Sequence, residues 1–408
     1  MKLKQQDYLS GYVLFLLGVA GILVTFGSDA YLPGLASMAT DLNATAETMQ
    51  LTVTAFSIGM AGGQLIFGGL SDRLGRRPIS LGGLTLLAIA SVFCSVTTVA
   101  TLLIIGCAVI GLASSAVYVA NRTIISDLTT GQRATQAFSI MALVMGVGPM
   151  LGPLMGGLLV AYGSWRYIFV AIALLAIVLL VTVFFSIGET LSPSNRHPFR
   201  LGTILRNAGG VLSDPLYRNH TLVFWFGFGA LFAYISSSSF ISQNILGLSP
   251  SSYGFLFSFN ALGMVVANLV SSRLAKKLPA RRIITMGVSA QFVGGLVLLL
   301  AAVVPQLTTS FTFVGFFVVA SSVGFIFGPA IAIGLTRQRH RAGAAVAVLG
   351  SLQFVFGGIS ATLIAVTGTT SILPLAVIVV VCTVASAIFL RMGRAAAREA
   401  LSTPEPAA

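Results

Sequence analysis

Few residues of this chain could do chemistry, and one carboxyl group stands apart from the rest. The 408 residues include ten Asp and Glu. Asp7, Glu189, Asp214, Glu399 and Glu405 fall in polar connectors or tails, and Asp41 and Glu47 in the first loop between apolar runs. Asp72 and Asp127 stand at the ends of such runs, and Asp29 alone falls inside one. A charge at mid-membrane costs at least about 2.5–3.5 kcal/mol, so such a residue normally faces a bundle interior or a wet cavity. A carboxyl group that alternates between apolar and wet surroundings binds a proton with two affinities. That is the property a proton-coupled carrier requires; the plainer alternative is a structural acid near the interface, since Pro33 follows four residues later. Thr25 and Phe26 lie one helical turn from Asp29 and Ile22 two, so the three share its face. A cavity lined by aromatic rings with one acid suits amphipathic or cationic organic molecules. The chain has 28 Phe, with Phe224, Trp225, Phe226, Phe228, Phe232 and Tyr234 clustered in one run; any one of them could equally face lipid or pack. Asn260, Gln243, Asn268 and Gln353 are the few polar side chains that a sugar or amino acid could use.

The three cysteines (Cys94, Cys107, Cys382) and three histidines (His197, His220, His340) show no metal-ligand or disulfide spacing, and no nucleophile–histidine pair sits in the apolar runs. Neither an enzyme nor a bound cofactor is expected. Gly148, Gly152 and Gly156 recur every four residues, on one helical face, where they permit close backbone approach. Pro149 and Pro153 each remove a backbone hydrogen bond and bend the helix. Such a helix can act as a rocking surface and seal, or can simply pack tightly.

These residues need elements to position them, and composition says which. Hydrophobic residues make up 56% of the chain and charged ones 8%, against roughly 25% charged in soluble domains. A multi-domain soluble enzyme and a secreted disulfide scaffold are excluded. Twelve apolar runs are long enough to cross a bilayer: about 11–33, 48–70, 79–98, 100–121, 135–160, 166–187, 220–242, 252–272, 282–304, 308–334, 342–366 and 371–391. An all-α membrane protein of twelve helices is therefore expected. With that count, all 23 Lys and Arg except Arg166 fall on one side, which the positive-inside rule makes cytoplasmic together with both termini. The net charge of +13 is thus a topology signal, and nucleic acid is not an expected partner. The expected division is a first six-helix bundle over 1–190, a cytoplasmic linker over 191–219, a second bundle over 220–395 and a disordered tail over 396–408. The run Ser71-Asp72-Arg73-Leu74-Gly75-Arg76-Arg77 returns 200 residues later as Ser271-Ser272-Arg273-Leu274-Ala275-Lys276-Lys277. Parallel six-helix repeats are a secondary-transporter architecture, with the substrate at the midplane between halves.

The segment Gly68-Gly69-Leu70-Ser71-Asp72-Arg73-Leu74-Gly75-Arg76-Arg77 resembles the loop 2–3 signature of the major facilitator superfamily. Gly148-x-x-x-Gly152-Pro153-x-x-Gly156-Gly157 is similar to the antiporter signature of its drug:proton exporters. Ser28-Asp29-Ala30-Tyr31-Leu32-Pro33, Trp165-Arg166-x-Ile168-Phe169 and Phe232-Ala233-Tyr234-Ile235-Ser236 resemble the bicyclomycin/chloramphenicol resistance branch, with MdfA-type multidrug exporters as relatives. The resemblance implies the major facilitator fold and export of amphipathic drugs against H+ by alternating access from the inner membrane, by a monomer without cofactors. It implies that Asp29 couples proton to substrate. It gives Asp72, Arg73, Arg76 and Arg77 to a cytoplasmic gate, with Asp127 as partner of Arg73. Tyr31, Met145 and Pro149 would join the cavity. The chain departs from the family where span four usually carries an embedded Arg: here the residues are Gly106-Cys107-Ala108, so coupling rests on Asp29 alone. It also has Ser237 and Ser239 where Gly and Pro are common, and Ser126 where a second Arg is often found. A metabolite exporter or symporter of the same fold, and a non-transporting receptor or channel, are the alternatives.

Overall fold

The computed structural model describes residues 9–129, 131–196, 201–336, 338, 342–368 and 371–402, and these fold into helices: α1 (Gly11–Asp29), α2 (Leu35–Asp41), α3 (Ala46–Leu74), α4 (Arg76–Val96), α5 (Ala100–Leu128), α6 (Gly131–Tyr162), α7 (Arg166–Ser186), α8 (Leu201–Leu212), α9 (Pro215–Phe240), α10 (Pro250–Leu274), α11 (Ala280–Val303), α12 (Thr308–Leu335), α13 (Ala342–Thr367) and α14 (Leu373–Ser402). Each expected apolar run coincides with one of them. Among the described residues, eleven helices are long and apolar enough to cross a membrane; in α6 the described apolar stretch is the shorter Gly146–Tyr162.

Several boundaries differ from expectation, each for a local reason. The first apolar run reaches residue 33 in the sequence, but α1 stops at Asp29 and a 3-10 turn covers Leu32–Gly34. Pro33 has no N–H to continue the helical ladder and its ring crowds the preceding turn. Helices α3, α5 and α9 run past their apolar limits to Leu74, Leu128 and back to Pro215. At α9 and α5 polar side chains satisfy the ends: Asp214 accepts the Leu216 and Tyr217 N–H groups at 2.8 and 3.1 Å, and the Thr129 hydroxyl donates to the Ile125 carbonyl. The 191–219 connector contains α8, and α14 continues to Ser402, into the segment expected as a disordered tail; residues 403–408 lie outside the described ones.

The chain divides into two compact units. The first holds Met1–Leu201, Ser236–Ala261 and Ala361–Thr369; the second holds Gly202–Ile235, Leu262–Ser360 and Thr370–Ala408. Helices α9, α10 and α13 therefore each contribute to both. In the first unit, α3 meets α5 at backbone distance: a Cβ on Gly111 would collide with the Phe56 carbonyl and one on Gly63 with Ser115. The second unit is built around Val223, Phe224, Trp225, Ile284, Val288 and Ile326. Phe15, Ile89 and Phe185 in the first unit and Val293, Val381 and Ile388 in the second are exposed, the pattern of a surface whose solvent is lipid. The repeated turn is visible in the backbone: Gly75 N–H donates to the Ser71 carbonyl at 3.0 Å, and Ala275 N–H to the Ser271 carbonyl at 2.9 Å.

Candidate functional site

Asp29 is the last residue of α1 and only 7% exposed. Among the described residues no cation pairs with its carboxylate. The expected small-residue face of α6 is seated on this end of α1. Gly148 abuts Thr25 and Gly156 abuts the Ala30 carbonyl so closely that neither position has room for a Cβ. Between them, a Cβ on Gly152 would lie 3.4 Å from Ala30 N and 3.6 Å from Asp29 Cβ. The second face of the motif meets α10, where Gly157 approaches the Pro250 carbonyl and the Pro153 carbonyl approaches Gly254. Ile22, Thr25 and Phe26 are half-buried on α1, with the Thr25 hydroxyl donating to the Ile22 carbonyl at 2.7 Å. Pro149 is half-buried on α6, and the Met145 side chain lies outside the described residues. Tyr31 does not join this face. The turn before Pro33 sends its ring inward to stack on Phe169 at 5.9 Å, and it is 1% exposed.

At the end of the first unit that carries the basic loops, the expected gate residues form a network with a different centre. Arg76, rather than Arg73, holds Asp127: Arg76 Nε donates to Asp127 at 3.0 Å, and its Nη1 donates to Asp72 at 2.6 Å and to the Ser71 hydroxyl at 3.0 Å. The reason is geometric. Gly75 takes φ = +105°, which favours glycine, and the chain turns there so that Arg76 points back from the first turn of α4 while Arg73 stays exposed on the last turn of α3. Arg77 points elsewhere, donating to the Phe184 carbonyl at 2.6 Å and stacking over the Phe184 ring. Glu189 completes the network: its carboxylate accepts the Arg76, Thr190 and Leu191 N–H groups at 2.9–3.0 Å, packing where a Cβ on Gly75 would stand. A carboxylate at the start of α4 also complements the helix dipole. Thr190 donates to Asp127 at 3.1 Å. Sequence reasoning leaves Glu189 among the connector acids, because a single Glu in a polar stretch carries no spacing signal.

The opposite end of the same unit carries a clasp and a polar seam. Arg166 is ion-paired with Asp41, donates to the Thr97 carbonyl and lies over the Trp165 ring, whose Nε1 also donates to Asp41 at 3.1 Å. Ser239 and Gln243 donate to the Leu32 and Pro33 carbonyls at 2.5 and 3.0 Å, and Ser258 donates to the Met150 carbonyl at 2.5 Å. Asn260, buried, belongs to this unit.

Phe228, Phe232 and Tyr234 belong to the second unit, so the residues expected to line one cavity are divided. Phe228 stacks on Phe232 with ring centroids 4.7 Å apart and meets Phe354 edge-on at 5.5 Å, while Tyr234 meets Phe316 edge-on at 5.0 Å. Phe224 packs on Phe327 at 4.7 Å beside them.

Residues 17–362 match the family model described as Major Facilitator Superfamily. The chain belongs to the major facilitator superfamily. Within it, the relatives fall in the bicyclomycin/chloramphenicol resistance branch. A Haemophilus influenzae protein named bicyclomycin resistance protein homolog is 32% identical over 357 residues, covering 86% of this chain and 87% of its own. The multidrug resistance protein MdtL of Escherichia coli O9:H4 is 27% identical over 383 residues, 94% of each chain. Among solved structures of the superfamily fold, a D-xylose–proton symporter superposes with a TM-score of 0.74 over 91% of this chain and 96% of its own, at 13% identity. The superfamily's helical, multi-pass membrane architecture is the one found here, and the chain is a membrane transporter of small molecules.

Proposed function

We propose that this chain is a drug exporter of the inner membrane that exchanges amphipathic organic compounds for protons by alternating access. In this reading twelve helices span the bilayer, the basic loops and both termini face the cytoplasm, the working unit is a monomer, and no catalytic step or cofactor is involved. The observation that carries it is Asp29: a buried carboxyl at the end of α1, without a cation partner among the described residues, pressed against the glycine face of α6. A carboxylate so placed keeps a net charge out of water only at a cost, which a proton removes. The relatives named for bicyclomycin and multidrug resistance supply the substrate class. A sugar or amino-acid carrier fits less well, because Gln243, one of the few polar side chains such a substrate could use, is committed to a backbone carbonyl.

Asp29→Asn tests the reading. Expressed in a drug-sensitive bacterium, it is expected to reach the membrane at wild-type levels and to lose resistance to a panel of antibiotics and lipophilic cations, while Asp29→Glu retains part of it. In proteoliposomes the wild-type protein should move protons opposite to drug. Unchanged resistance in Asp29→Asn rejects the role given to Asp29, and proton flow without drug points to a leak or channel.

A further inference from the structure

The corner that follows Asp29 is held from two sides within the first unit. On one side lies the glycine face of α6, which contributes shape alone. On the other side two neutral side chains contribute directional bonds. Ser239, fully buried, donates to the Leu32 carbonyl at 2.5 Å, and Gln243 donates to the Pro33 carbonyl at 3.0 Å and to the Ser239 hydroxyl at 2.8 Å. Gln243 sits in a π-turn, Ile241–Ile245, closed by Leu246 N–H on the Ile241 carbonyl at 3.0 Å. Such turns are rare and frequent at functional sites. The neighbouring seam repeats the chemistry: Ser258 donates to the Met150 carbonyl and Gln50 to the Ser236 carbonyl. Apart from the Gln243–Ser239 link, each of these contacts pairs a neutral donor with a backbone carbonyl. A seam of this kind opens without leaving a buried charge unpaired, whereas breaking a buried ion pair is strongly unfavourable.

We propose that Ser239 and Gln243 are positioning residues: they pin the Leu32–Pro33 corner and so keep this end of the first unit closed around Asp29. The pair acts through the backbone after α1 rather than on the transported molecule, so the inference does not depend on the identity of the substrate or the coupling ion. The Leu32 carbonyl accepts both the Leu35 N–H and the Ser239 hydroxyl, so the latter adds a tie from outside the corner's own turn.

The test uses the full-length protein in membrane vesicles with Ser258→Cys as reporter, read by the rate of alkylation with a membrane-impermeant maleimide. The native Cys94, Cys107 and Cys382 are buried, and vesicles lacking Ser258→Cys give the background. Ser239→Ala and Gln243→Met are expected to raise the labelling rate roughly 3- to 10-fold each, the factor that one net hydrogen bond represents. Ser239→Thr, which keeps the hydroxyl, should label like the parent. Equal rates in all variants overturn the proposal. So does a Ser239→Thr rate as high as that of Ser239→Ala, which would make the site steric. Right-side-out and inverted vesicles are compared: a rise confined to inverted vesicles rejects the orientation proposed above and leaves the pinning role standing. Should Gln243→Met not insert, the Ser239→Ala and Ser239→Thr pair decides the matter.

Discussion

At the scale of single residues, the difference between Arg73 and Arg76 shows what spacing alone leaves undetermined. Two residues, Leu74 and Gly75, separate two identical side chains, and the turn at Gly75 decides which of them meets Asp127. Arg76 fans its guanidinium over Asp72, Asp127 and Ser71, a planar arrangement that a lysine ammonium does not reproduce. Arg76→Lys is therefore expected to slow transport about tenfold, roughly the worth of one charge-assisted hydrogen bond, with equilibrium drug affinity little changed; Arg73→Ala should stay near wild type. Turnover in proteoliposomes beside drug binding in detergent separates the two, and an equal loss in both variants would return the gate to Arg73. Asp29 is legible in the sequence because an acid inside an apolar run is costly wherever the chain puts it. The bonding of Glu189, Ser239 and Gln243 is not, because their partners are backbone N–H and C=O groups, which every residue carries. Tyr31, which the resemblance gives to the cavity, lies beyond the end of α1 and stacks on Phe169, a placement set by the turn at Pro33 that no spacing signals.

At the scale of elements, each apolar run coincides with a helix, as expected where hydrocarbon leaves the backbone no other hydrogen-bond partners. The glycine period in α6 predicts a close neighbour and the structure supplies it, although periodicity does not say that α1 lies on one face and α10 on the other. The contact is tight enough to make a sharp test. Gly156 abuts the Ala30 carbonyl, backbone against backbone, so a side chain has nowhere to go. Gly156→Val should destabilise the protein by about 1–3 kcal/mol through overpacking and lower the melting temperature in detergent. Gly62→Ala, on α3 with open space around it, should leave the melting temperature within error. Comparable shifts in the two would mean that α6 is not held against α1 as described.

At the scale of the whole molecule, the charge asymmetry makes a topological claim that labelling can check. Lys276, in the basic turn after α10, and Tyr162, at the other end of α6, are both exposed. Lys276→Cys should react with an impermeant maleimide in inverted vesicles alone, and Tyr162→Cys in right-side-out vesicles alone; reaction of both from one face would refute an odd number of crossings between the two positions. The repeat is readable from one loop, but the grouping of Ser236–Ala261 and Ala361–Thr369 with the first unit is not, because a hydropathy pattern records how far a helix goes and nothing of its companions along the way.

The two tryptophans have a use that follows from where they fall. Trp165 stands in the Asp41–Arg166 clasp of the first unit, while Trp225, in the second, donates its indole N–H to the Leu349 carbonyl at 3.1 Å. The chain has no others. Replacing either with Phe leaves a native fluorophore whose emission reports on one unit and is silent about the other, so this protein already carries a pair of optical probes for following its working cycle without any attached dye.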